Sequence, residues 1–206
     1  VIEKIIKFLN QASEDIVTVN ERSYQLFGDE KFFRGAESSR SRGETILHRL
    51  GLDYRDIGCE ETLEPFFSFM SKDFYSITGR YIFIIENKDT FWSFKRNIFD
   101  SLNADMLIFG EGKKILSSFQ FMEEYSVNPA GDTIFYFGHL DAEGVNIFCE
   151  LAERYSAYGI KPFHDGYAAL LEISARHGLK KIPKKQRINR EHIEKFCGFF
   201  GQPLAQ

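Results

Sequence analysis

Between residues 81 and 152 a short run of β-branched and aromatic residues is three times broken by a turn and followed by apolar residues at helical spacing. Alternating strands and helices produce that pattern. Tyr81–Ile85 (YIFII) leads into Glu86-Asn87-Lys88-Asp89-Thr90 and then Phe91, Phe94, Ile98 and Phe99. Asp105–Phe109 leads into Gly110-Glu111-Gly112 and a helix carrying Ile115 and Leu116. Thr133–Phe137 (TIFYF) leads through Gly138 into a helix from Asp141, with Val145, Phe148, Cys149 and Ala152 on one stripe. The runs are nearly all apolar, as strands covered on both faces of a parallel sheet should be. A fourth strand at Ile160–Phe163 and a helix from Asp165 through Ala175, with Asp165 as its N-cap, extend the series. The expectation is an α/β fold, a parallel sheet flanked by helices with right-handed crossovers.

The flanks read differently. Residues 1–60 form a small, mostly helical N-terminal segment: Ile2, Ile5, Ile6 and Leu9 share a helical face, and Asn20 precedes a helix over Glu21–Phe27 that ends at Gly28 as a C′ residue. The α/β domain spans 61–177 and opens on Leu63–Met70, which Pro65 restricts to an edge or irregular strand. Residues 178–206 are a basic linker and a C-terminal helix. Within the linker Lys180, Lys181, Lys184, Lys185 and Arg187 have no acid among them, which suits either a DNA or RNA backbone or a solvated connection. A net charge of −4 gives no global positive field, so any nucleic-acid contact must be local. The 22 Phe against one Trp point to Phe-filled cores. Cys59, Cys149 and Cys197 lack metal-type spacing and read as reduced thiols. With no membrane-length apolar run and no signal-peptide pattern, a cytoplasmic location and no membrane partner are expected.

If the three strands are parallel, Glu86, Glu111 and Asp141 fall on the C-terminal rim of the sheet, where open α/β sheets bind ligands. Like charges on one rim repel unless a cation lies between them. Carboxylate oxygens suit Mg²⁺ or Mn²⁺, which can hold a phosphodiester and activate a water for in-line attack. Each acid also has a plainer use. Asp141 can cap its helix, Glu143 can be a first-turn acid favoured by the helix dipole, and Glu111 can face solvent. Asn87 is expected to order its turn through a side-chain to backbone bond. His139 is either a loop histidine or a ligand. A Walker A sequence, a GxSxG elbow and zinc spacing are all missing, and GEGKK at Gly110–Lys114 lacks the Ser or Thr of a P-loop.

A strand ending in Glu-Asn, a later strand ending in a loop like xLDxEG and the βαβ run between them resemble a Toprim domain. The longer resemblance is to the JetD nuclease family of the Wadjet plasmid-defence system, related to the A subunit of type IIB topoisomerases. Its motifs appear in order as Glu21–Lys31 (ERSYQLFGDEK), Glu86–Phe91 (ENKDTF) and Phe137–Gly144 (FGHLDAEG). The resemblance implies a divalent-metal-dependent DNA nuclease acting on double-stranded DNA with an SMC-like complex, and a homodimer. It implies catalytic roles for Glu86 and Asp141 and metal ligation by Glu86, Asp141, His139 and Glu143, with the basic cluster on DNA. His139 stands where the family has the first Asp of an Asp-x-Asp pair. That exchange removes a negative charge and a hard oxygen donor, and favours Mn²⁺ over Mg²⁺. It also opens the alternative of a catalytically weakened DNA-binding or assembly subunit. A primase-type or RNA-processing activity is a third reading.

Overall fold

The computed structural model describes residues 1–11, 15–34, 40–62, 64–178 and 186–201. The chain forms two compact units, Val1–Leu63 and Glu64–Gln206.

The first unit contains helices α1 (Ile2–Leu9), α2 (Val19–Phe27) and α3 (Arg42–Arg49) and a parallel pair of two-residue strands, β1 (Val17–Thr18) and β2 (Cys59–Glu60). Helix α2 starts earlier than Asn20 would have it. Thr18 is its N-cap, accepting from the Glu21 N–H, while Glu21 Oε2 accepts from the Thr18 N–H at 2.8 Å. This reciprocal pair satisfies two otherwise orphaned donors, so the helix nucleates there. Gly28 closes it in the left-handed conformation at φ 70°. The Glu21–Lys31 motif is largely structural. Buried Arg22 donates to the carbonyls of Asp15 and Gly58 and lies 4.3 Å from the Phe8 ring centroid. Buried Ser23 links the Val19 carbonyl to the Phe33 N–H. Thr18→Ala should cost about 1 kcal/mol, measured by denaturant unfolding.

The second unit is built on five strands, β3 (Phe67–Met70), β4 (Tyr81–Ile85), β5 (Met106–Phe109), β6 (Thr133–Phe137) and β7 (Lys161–Pro162), in the order β3-β5-β4-β6-β7. β4 to β7 are parallel, and only β3 runs antiparallel, on the edge, as the strand containing Pro65 upstream requires. The α/β reading therefore holds. Successive side chains serve opposite faces. Ile82, Ile84, Met106, Ile108, Ile134 and Tyr136 pack under α5 (Ile115–Ser118) and α6 (Ala142–Arg154). Phe83, Ile85 and Leu107 pack with Phe91, Phe94 and Phe99 from α4 (Lys88–Ser93) and the π-helical turn Phe94–Ile98 that continues it. Helix α7 (His164–His177) follows β7, and α8 (Arg190–Gly198) packs against α6, with Phe196 meeting Phe148 at 5.5 Å between centroids.

Asp165 does not cap α7. The helix begins one residue earlier, with Phe163 in the cap position and no side-chain cap, and Asp165 lies in the first turn, where the dipole favours it. Asn87 does order its turn, accepting from the N–H groups of Asp89 and Thr90. Cys59, Cys149 and Cys197 form no disulfide among the described residues, and burial raises the Cys149 thiol to about 11. Among the described residues no helix is long and apolar enough to cross a membrane.

Candidate active site

The chain leaves β4 toward β5 on one side and returns as β6 on the other, so the strand order reverses at β4. In open α/β sheets the crevice beyond the strand ends at such a switch point is the habitual ligand site. The register pairs Ile85 with Phe137, which sets Glu86 beside Gly138 and His139.

Glu86 is held from three directions. The Tyr136 hydroxyl donates to Oε2 at 2.9 Å, and the His139 backbone N–H donates to the same oxygen at 3.1 Å. His139 Nδ1 lies 3.1 Å from Oε1. A carboxylate only accepts, so a ring bonded there carries a proton on Nδ1. The Glu86 side chain is 10% exposed and that of His139 55%, so the acid forms the floor and the imidazole the mouth. Burial first, then the Glu86 charge, push the Tyr136 phenol well above its ordinary pKa, and it stays protonated as a donor. Tyr167, from α7, accepts the Gly138 N–H at 3.0 Å and steadies the loop from behind.

Asp141 is the N-cap of α6. Its Oδ1 accepts from the Gly144 N–H at 2.9 Å and its Oδ2 from Gln186 Nε2 at 2.9 Å. Partial burial raises its pKa. The Gly144 and Gln186 hydrogen bonds, with the His139 charge and the Glu143 N–H, outweigh burial and hold the carboxyl below the usual value. Glycines shape the loop for a steric reason. A Cβ at Gly138 would run into Glu86 Oε2, and one at Gly144 into the His139 carbonyl.

The other named residues lie further out. Glu143 pairs with Lys113 at 3.2 Å, and Glu111 with Lys114 at 3.1 Å, both on the surface. The Arg187 carbonyl accepts from Asn146 Nδ2. Lys180, Lys181, Lys184 and Lys185 lie outside the described residues. Among the described residues no three His, Cys, Asp or Glu side chains are grouped to hold a metal ion. A protein cage is therefore not what these residues offer. The donors fit the open kind of Mg²⁺ site, one or two carboxylates completed by water and substrate phosphate. In a site of that kind Glu86 and Asp141 would supply the hard oxygens, since each keeps lone pairs beyond the bonds named.

Motif and spacing rules do not single out Tyr136, Tyr167 or Gln186. A Tyr inside an otherwise aliphatic and Phe-rich strand was the available signal, because a buried hydroxyl needs a partner.

The family model described as Wadjet protein JetD, C-terminal, matches residues 47–195. The chain belongs to this family. The match takes in the whole five-stranded sheet and both JetD-like motifs at Glu86–Phe91 and Phe137–Gly144, while Glu21–Lys31 lies upstream of it. No curated protein and no solved structure matches the chain.

Proposed function

We propose that this JetD-family chain takes part in plasmid defence with an SMC-like complex, and that the rim of Glu86, His139 and Asp141 is the centre of a divalent-metal-dependent, Toprim-type DNA nuclease. The observation that carries this reading is the clamp on Glu86 at the switch point, made by Tyr136 and by the loop that leads to Asp141. A carboxylate with both oxygens bonded needs little reorganisation when substrate arrives. Bound Mg²⁺ or Mn²⁺ would stabilise charge on the phosphodiester and lower the pKa of an attacking water. Glu86 and Asp141 would hold the ion, and the exposed His139 ring would sit beside the scissile phosphate. The substrate is double-stranded DNA, and a homodimer is part of this reading, as the resemblance implies.

Glu86→Gln and Asp141→Asn test it on supercoiled plasmid with either metal. Each should lower cleavage by about 100-fold or more. Asn caps helices about as well as Asp, so Asp141→Asn should unfold at nearly the wild-type denaturant concentration, which separates the capping role from the chemical one. Wild-type cleavage by both variants would end the catalytic reading.

A second reading, a DNA-binding or assembly subunit without chemistry, is favoured by His139 in place of an Asp and by the absence of a three-ligand group among the described residues. Calorimetric titration with Mn²⁺ separates the two. No saturable binding by the wild type, with binding gained in His139→Asp, supports the second. Micromolar binding lost in Asp141→Asn supports the first.

A further inference from the structure

Among the described residues, the outer face of α4 and its π-helical continuation carries cations that form no salt bridge. Lys88, Trp92 and Arg96 follow at four-residue spacing and are all exposed, with Lys95 alongside. Trp92, the chain's single tryptophan, is 38% exposed, and Phe67 on the edge strand, 6.4 Å away between centroids, is 55% exposed. Lys95 Nζ lies 4.4 Å from the Phe69 ring centroid and 4.9 Å from that of Trp92, and the Arg96 guanidinium lies 5.7 Å from Trp92. Among the described residues Lys88, Lys95 and Arg96 make no ion pair, although Asp89 is on the same turn. Lys113, Lys114 and Lys195, elsewhere in this unit, are each paired with a glutamate. A ring under a cation orders it without cancelling its charge, and the N–H groups stay available.

We infer that this face, Lys88, Trp92, Lys95 and Arg96 with Phe67 beside them, is a track for the sugar–phosphate backbone of duplex DNA running from the Glu86 rim. The inference rests on the nuclease reading for its direction, since Lys88 is two residues beyond Glu86. From Lys88 to Arg96 the helix advances about 12 Å, which spans three to four nucleotides of one strand at about 3.4 Å each. An open dent of about 370 Å³ on this face is lined by Asp89, Trp92, Ser93, Arg96 and Asn97. Four of those five are polar, which suits phosphate and sugar contacts better than the apolar anchor a protein partner would insert. The Phe99 N–H bonds to the Phe94 carbonyl five residues back, a π-type turn of the kind often found beside functional sites.

Trp92 is its own reporter. With the full chain and a short duplex, without divalent metal so that nothing is cut, DNA should change the tryptophan emission saturably. Lys95→Ala with Arg96→Ala should weaken binding about tenfold or more and reduce the slope of log Kd against log salt by about two. Unchanged affinity and slope in the double variant would overturn the track, and so would weakened binding without any change in Trp92 emission. Failure of the nuclease reading shows separately: if Glu86→Gln cleaves plasmid like the wild type while the emission and salt results hold, the track stands and the catalytic assignment falls. If the chain binds no duplex at any salt, both fall.

Discussion

Asp132→Ala should lower the unfolding free energy by about 3–5 kcal/mol. The carboxylate accepts from the Arg80 backbone N–H at 2.8 Å, from its guanidinium at 2.6 Å and from the Asn128 N–H at 2.8 Å. Arg80 and Asp132 side chains are 6% and 1% exposed, and the guanidinium also donates to the Ser126 carbonyl and lies 4.5 Å from the Phe74 ring centroid. Removing the acid leaves a buried cation with three of its five hydrogen bonds gone, and that uncompensated charge dominates the loss. Asp132→Asn, which keeps an acceptor, should lose less. Burial alone would raise the Asp132 pKa, but the bonds from Arg80 and Asn128 outweigh it and hold the carboxyl below its usual value. Between the folded and unfolded values the unfolded chain binds the extra proton, so stability rises with pH across that window. The pair's contribution is full above about pH 4 and fades as pH falls through the folded value. Urea midpoints of wild type and Asp132→Ala should therefore converge in acid. A constant gap down to the lowest pH tolerated would contradict the assignment.

Local pattern made much of the second unit legible. The strand Tyr81–Ile85 and its turn through Asn87 could be read because β-branched runs and Asx caps are decided by neighbours in sequence. Asp141 as a cap was legible for the same reason. What could not be read depends on register between strands. The bond from Tyr136 to Glu86 spans 50 residues and the pair of Arg80 with Asp132 spans 52. Neither has a spacing rule, because each exists only once β4 lies beside β6. The two pairs are related. Arg80 and Asp132 precede β4 and β6, and lock Tyr81 opposite Thr133. That same register brings Ile85 opposite Phe137 and delivers Glu86 to Gly138 at the other end. A slip of one residue would turn Tyr136 to the opposite face and leave Glu86 without its donor. The start of α2 was misplaced because Thr18 and Asn20 are both good caps, and only the reach of Glu21 back to Thr18 decides between them.

Gly138→Ala should damage the site more than its one added carbon suggests. The new Cβ would meet Glu86 Oε2 directly and lie 2.8 Å from both the Tyr136 ring edge and its hydroxyl oxygen. Tyr136 is fully buried and cannot withdraw, and its ring is packed 5.6 Å from Phe148. The carboxylate must therefore move, which breaks its bonds to Tyr136 and to the His139 N–H together. Overpacking of this kind typically costs about 1–3 kcal/mol. A displacement of about 1 Å at a reacting group can cost about 100-fold in rate, so on the nuclease reading plasmid cleavage should fall by that order while the fold persists. The Tyr136 hydroxyl is then left buried without its acceptor. Tyr136→Phe, which removes the donor but leaves Glu86 in place, should be milder in both stability and cleavage. Comparing the two by denaturant unfolding and plasmid cleavage distinguishes crowding of the carboxylate from loss of one hydrogen bond. A Gly138→Ala protein as stable and as active as the wild type would mean that the Glu86 carboxylate is not held where Tyr136 and the His139 backbone place it.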